Sequence, residues 1–344
     1  MKWRLLTGIS SLCLAAGAQA ATWESCMSEQ PIPMIVRIGA HTPPVPALLS
    51  GGVLPRINVV ERDTGRVLWT AADAPPAMQL FPQMRAAFAG SFTAVDLDGD
   101  GVHDRIYAGD LAGRLWRFDL HHGAEPAHWA SGGVWADFSS VSGRGFVAAP
   151  DVSLSAQPGQ KPWLNIAAGT AHTSDSTVGN RFYVLRDKKP FDAWSDAEYL
   201  RWQPLRETDL LSMDRASNAT TALIDRGYYF ELAAGDVLAP ALTVSGRATL
   251  AISTWATGSH PCQVAITVSS FDIVTAKPVP TQTLPTGVNT GAPAPTMALP
   301  AGSGLVLNRN DAGQAVCTLG EAHIAACDVN TRPLPIYWRR QDAD

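Results

Sequence analysis

The stretch Ala94-Val95-Asp96-Leu97-Asp98-Gly99-Asp100-Gly101-Val102-His103-Asp104 runs into Arg105-Ile106-Tyr107-Ala108-Gly109-Asp110 and then Gly113-Arg114-Leu115-Trp116-Arg117-Phe118-Asp119-Leu120. The last two runs are short and rich in aromatic and branched residues, and the turn residues from Asp110 to Gly113 part them. That pattern is a β-hairpin signature. The acidic loop before it therefore joins strands within a sheet.

The loop itself has carboxylates at positions one, three, five and nine: Asp96, Asp98, Asp100 and Asp104. With the carbonyl of Val102 at position seven, these are the oxygen donors that Ca²⁺ takes, and Gly101 at position six permits the sharp bend. Without a cation, four carboxylates this close would repel one another. The loop is no EF-hand, because position twelve is Tyr107 where a bidentate Glu belongs, and strand follows instead of helix. A site of this kind pins a hairpin, with the affinity of an extracellular module, a Kd of roughly 10⁻⁴ to 10⁻³ M. At tenfold excess over Kd it would add about 1.4 kcal/mol.

A phrase recurs along the chain: an apolar strand ending in Asp, a turn, then a further strand or a Trp. It falls at Asp63, Asp119 and Asp187, and more weakly at Asp272 and Asp328, with spacings of 56, 68, 85 and 56 residues. These exceed the usual blade period of roughly 40 to 50, a difference that insertions between strands account for. The expectation is an all-β, β-propeller-like fold of about five recognisable blades, in a ring that is small, incomplete or closed by a partner. Ala71 to Gln79 and the proline-rich Pro278 to Gly304 read as loops between blades. Helical periodicity is nearly absent, and only Phe191 to Arg201 reads as a short helix, with Asp192 near its start.

Met1 to Ala20 carries Lys2 and Arg4, an apolar stretch from Leu5 to Ala16, and Ala18-Gln19-Ala20, the pattern of a secretory signal peptide cleaved after Ala20 without lipidation. Residues 21–56 then read as an N-terminal segment, and 57–344 as the propeller domain with its calcium hairpin at 96–104. No later stretch reaches the roughly 20 apolar residues that a membrane helix needs. Removing Lys2 and Arg4 leaves 24 basic against 31 acidic residues, a balance that disfavours nucleic acid as a partner. Four cysteines remain, Cys26, Cys262, Cys317 and Cys327, an even number suited to two disulfides in an oxidising compartment. Cys317 and Cys327 flank the Gly320-Glu321 turn of a hairpin, which favours their pairing and leaves Cys26 with Cys262.

The run from Ala94 to Leu120 closely resembles the C-terminal propeller of the type IV pilus tip proteins, the PilY/PilC family. Further echoes in the same order are Gly145-Phe146-Val147-Ala148-Ala149-Pro150, Ala167-Ala168-Gly169-Thr170, and Asn180-Arg181-Phe182-Tyr183-Val184-Leu185-Arg186-Asp187. The resemblance covers Ile57 to Asp187 well and the remainder loosely. It implies a calcium loop at Asp96, Asp98, Asp100 and Asp104, and suggests a role for Asp110. It also implies minor pilins or other tip components as partners, a part in pilus assembly against retraction, twitching motility or adhesion to a host or other surface, and a periplasmic, pilus-tip or cell-surface location. The family carries a long N-terminal region before a propeller of about seven blades. Here only residues 21–56 separate the signal from the first recognisable strand, so the chain resembles a shortened or split member.

Two other readings are weighed against this one. Asp63-Thr64-Gly65-Arg66-Val67-Leu68-Trp69 resembles the docking repeats of quinone-dependent propeller dehydrogenases, but those enzymes need about eight blades and a cofactor platform, and no GxSxG, HExxH or phosphate loop is present. Trp116, Trp129, Trp163 and Trp202 could stack sugars in an adhesin fragment, but their pattern suits packing between blades. His121, His122 and His128 sit in a polar turn and His172 follows Gly169-Thr170, so all four read as loop residues. No catalytic residue is assigned.

Overall fold

In a computed structural model, residues 31–213, 225–283 and 305–329 are described, with short breaks inside each stretch; beyond residue 237 side chains are described only at 271–276. Residues 1–20, read above as a signal peptide, and Cys26 and Cys262 lie outside the described residues, as do the side chains of Cys317 and Cys327.

Among the described residues, five sheets of three to five strands follow one another along the chain. The first contains β1 (Ile32–Val36), β2 (Val45–Ser50), β3 (Arg56–Glu61), β4 (Val67–Ala72) and the short parallel β5 (Gln79–Leu80), in that order. The second contains β6 (Phe92–Val95), β7 (Arg105–Gly109), β8 (Arg114–Leu120) and β9 (Ala130–Asp137), an antiparallel meander. The third runs β11 (Asp151–Ser155), β12 (Trp163–Gly169), β14 (Arg181–Asp187), β16 (Gly227–Glu231), β15 (Leu211–Ser212). A two-residue pairing of β10 (Arg144–Gly145) with β13 (Ala171–His172) lies beside it. The fourth sheet is β17 (Leu242–Val244), β18 (Thr249–Thr257), β19 (Val264–Asp272) and β20 (Pro278–Thr283); the fifth is β21 (Leu305–Arg309), β22 (Ala315–Leu319) and β23 (Ala322–Val329).

The first strands of successive sheets touch in turn, β1 with β6, β6 with β11, β11 with β17 and β17 with β21. That is the radial order of propeller blades, and it explains the recurring aspartates. Asp119, Asp187, Asp272 and Asp328 lie on the third strand of the second to fifth sheets, and Asp63 one turn beyond the third strand of the first. The irregular spacing comes from insertions such as the one after β14, which holds the helix α1 (Asp196–Arg201).

The second sheet is covered on both faces, so its two central strands, β7 and β8, are buried along nearly their whole length. Alternation divides its side chains between two cores. Ile106, Ala108, Trp116, Phe118 and Leu120 face the first sheet, joining Val59, Trp69 and Phe88. Tyr107 and Leu115 face the third, joining Ile166, Tyr183 and Leu185. Trp69 and Trp129 meet edge to face with ring centroids 5.1 Å apart, an arrangement worth about 0.5–1.5 kcal/mol beyond the area it buries. The tryptophans Trp116, Trp129 and Trp163 are thus packing residues.

On the face toward the third sheet, two arginines replace apolar residues. Arg105 Nε meets Asp119 at 2.6 Å, Arg105 Nη1 meets Asp187 at 3.2 Å, and Arg117 reaches Asp119 and Asp187 at 3.0 Å each. Remaining donors go to the carbonyls of Pro190 and Asp192, while the Tyr107 and Tyr199 hydroxyls donate to Asp187 and Asp119. All four charged side chains are nearly fully buried, and a group of this kind persists only because its members are mutually compensated.

Four local expectations need revision. The boundary at residue 57 falls inside the first sheet, because β2 pairs with β3 from Ala47↔Glu61 to Ser50↔Asn58. The helix begins at Asp196 instead of Phe191. The Ser195 carbonyl accepts the Glu198 and Tyr199 N–H groups while the Glu198 carboxylate reaches back to the Ser195 N–H, and the preceding residues turn, the Asp192 N–H donating to the Lys189 carbonyl at 3.3 Å, so that the Asp192 carbonyl faces the arginines. Pro278 to Thr283 forms β20 at the edge of its sheet, where proline is tolerated. Ala71 and Ala72 complete β4, and Gln79 starts β5, so the loop between them is 73–78. In the last hairpin the backbone register sets Cys317 opposite Ile324.

Candidate metal centre

The acidic loop joins β6 to β7 and is closed at its neck by the Asp104 N–H, which donates to the Val95 carbonyl at 2.8 Å. Leu97 and Val102 are buried and anchor the loop from below. Between them the carboxylates cap backbone amides. Asp96 accepts from the Gly99 and Gly101 N–H groups at 2.7 and 2.9 Å, and Asp98 accepts from Asp100 N–H at 3.0 Å. Asp104 Oδ2 accepts from Leu97 N–H at 2.5 Å. Such turns need left-handed backbone, which Gly99 and Gly101 supply with φ of 79° and 87°.

Three of the four carboxylates converge. Asp96, Asp98 and Asp104 each offer an oxygen within 4.8 Å of the other two. Ligands about 2.3–2.6 Å from one Ca²⁺ lie within roughly 5 Å of each other, so this donor set fits a hard cation. Asp100 stands outside that group, with Oδ1 accepting the Val102 N–H at 2.7 Å. Burial and then the nearby charges of Asp104, Asp100 and Asp96 push the Asp98 carboxyl upward, against the pull of the Asp100 N–H. Burial also pushes Asp104 upward, but hydrogen bonds from His122 and the Leu97 amide outweigh it and leave Asp104 below its ordinary value.

The polar-turn reading of His122 changes with the structure. Its Nε2 lies 2.8 Å from Asp104 Oδ1, and that hydrogen bond raises the imidazole above its ordinary value. His103, at loop position eight, escaped the sequence pattern altogether; its Nδ1 accepts the Ile35 N–H of β1 at 3.1 Å. Neither contact had a local signal, since the partners lie 18 and 68 residues away. His121 instead meets Ser131, and His172 lies beside Asn180. Asp110 does not join the loop. It is fully buried in the β7–β8 turn, bonded to Arg114 and the Trp116 indole N–H.

This architecture is similar to that of the crystal structure of the Pseudomonas aeruginosa PilY1 C-terminal domain, with a TM-score of 0.55, over 88% of this chain and 72% of that one. The chain has the fold of that domain. Identity between the two is 15%, so the likeness is one of fold. A type IV pilus biogenesis factor PilY1 homolog from Xylella fastidiosa is 45% identical over 40 residues, which are 12% of this chain and 3% of that protein. The quinohemoprotein alcohol dehydrogenase of Comamonas testosteroni overlaps with a TM-score of 0.33 and 13% identity. No family model matches the chain.

Proposed function

We propose that the protein is a calcium-binding, non-enzymatic, PilY1-like component of the type IV pilus system, acting through protein contacts at the pilus tip or cell surface. The observation that carries this reading is the 45% identity over 40 residues to a PilY1 homolog in a chain with the PilY1 C-terminal-domain fold. The converging carboxylates of Asp96, Asp98 and Asp104 support the calcium part. A bound Ca²⁺ would offset their mutual repulsion, and Asp100 and the Val102 carbonyl complete the expected ligand set. Since the loop connects two strands that are otherwise paired, the ion would hold a surface in shape instead of opening a helix pair. Partners on this reading are minor pilins or other tip components, with a host or other surface as a further ligand, and the route is secretion across the inner membrane. Among the described residues no helix is long and apolar enough to cross a membrane.

The test is a deletion strain complemented with wild-type protein or with a D98N/D104N double variant, scored for surface pili and twitching. The expected result is loss on deletion, rescue by wild type and impaired rescue by the variant. Unchanged piliation and twitching on deletion would sink the pilus assignment.

A further inference from the structure

The loop touches more than its own hairpin. β1 heads the first sheet, so its edge away from β2 has no strand beside it in that sheet. At Ile35 that edge is satisfied by the loop: the His103 N–H donates to the Ile35 carbonyl at 3.0 Å, and the Ile35 N–H donates to His103 Nδ1 at 3.1 Å. The chain then continues along the β8–β9 turn. The Arg37 carbonyl accepts from Gly123 N–H at 3.1 Å and from the Trp129 indole at 3.2 Å, and Gly39 N–H donates to the Ala124 carbonyl at 2.8 Å. From that same turn His122 reaches Asp104. Residues 35–39 are thus a strap that ties the first sheet to the second; one anchor, His103, adjoins Asp104, and the other lies in the turn whose His122 touches it.

We infer that cation binding at the loop and docking of the 35–39 strap are one coupled equilibrium, with His103 as the positioning residue; this rests on the calcium reading above. His103 lies between Val102 and Asp104, two members of the expected ligand set, so an ion that fixes its neighbours fixes its amide and ring. Undocking the strap removes both His103 partners and frees the loop. By reciprocity, whatever factor the docked strap adds to cation affinity, the cation adds to strap docking. The ion is then read out at the boundary between the first two blades, some distance in sequence from the loop.

Amide hydrogen exchange on the mature chain, with and without CaCl₂ alone, tests this beside calorimetry that establishes whether Ca²⁺ binds. If the ion binds only the docked form, free calcium at roughly ten times Kd slows exchange through strap opening about elevenfold. The expected result is slowing toward that factor at Ile35, Gly39, His103 and Gly123, with β12 amides such as Ile166 and Ala168 unchanged. Slowing confined to Gly99 and Gly101, or equal slowing everywhere, overturns the coupling and leaves the calcium site standing. No binding heat removes the calcium reading and the coupling with it. A second arm compares His103→Ala, expected to bind about fivefold more weakly through loss of one hydrogen bond, with His103→Asn, whose amide oxygen replaces Nδ1 as acceptor and should restore most of the affinity. Wild-type affinity in the alanine variant would also overturn the coupling.

Discussion

Arg117 Nη1 and Asp187 Oδ2 lie 3.0 Å apart across the boundary between the second and third sheets, with both side chains almost wholly buried. Asp187 also accepts from Arg105 Nη1 and from the Tyr107 hydroxyl. Removing it leaves two buried cations undercompensated. Asp187→Ala should destabilise the protein by about 3–5 kcal/mol, seen as a lower urea midpoint. A shift below about 1 kcal/mol would mean that water reaches the cluster.

The convergence of three carboxylates, with Asp100 apart, ranks the loop variants. Asp98→Asn and Asp104→Asn should each reduce calcium affinity more than Asp100→Asn. Calorimetric titration of the three proteins checks the order. Equal losses would show that Asp100 swings in to ligate when the ion arrives.

Gly101 has φ of 87° and open space where a Cβ would sit. Replacement by alanine therefore clashes with nothing and costs only the left-handed conformation, about 1–2 kcal/mol. Gly101→Ala should weaken calcium binding about tenfold while leaving the far-ultraviolet circular dichroism unchanged. Unaltered affinity would show that the bend tolerates a side chain.

Asp137 closes β9, accepting from Ser139 N–H at 3.0 Å and pairing with Arg206 at 2.9 Å. Burial pushes its carboxyl up, and the Ser139 hydrogen bonds and Arg206 pull it further down, so its folded value is depressed. A depressed carboxyl stabilises the fold above its unfolded value of about 3.9 and loses that contribution as pH falls through the folded value. The stability gap between wild type and Asp137→Asn should therefore be constant from pH 7 to about 5 and shrink below about pH 4. Denaturant midpoints at three pH values test this; a gap that widens in acid would contradict the assignment.

Much of this protein is decided locally. The hairpin over residues 105–120 follows from strand runs parted by a turn. The five-fold phrase ending in Asp marks the third strand of each sheet, because each blade repeats the same local order of strand, turn and strand. The loop's glycines and alternating aspartates, within nine residues, specify its bends and its run of carboxylates. By contrast, the role of Asp187 as partner for Arg105 and Arg117 exists only once neighbouring sheets stack, whereas Asp119 meets both arginines within the β7–β8 hairpin. The same holds for His103 on Ile35, while His122 reaches Asp104 once the second sheet has folded on itself. Short-range patterns encode strands and turns because alternation and φ preferences act over a few residues. Which charged side chains meet is set by the stacking of whole sheets, where burial forces each polar group to find a partner from distant sequence.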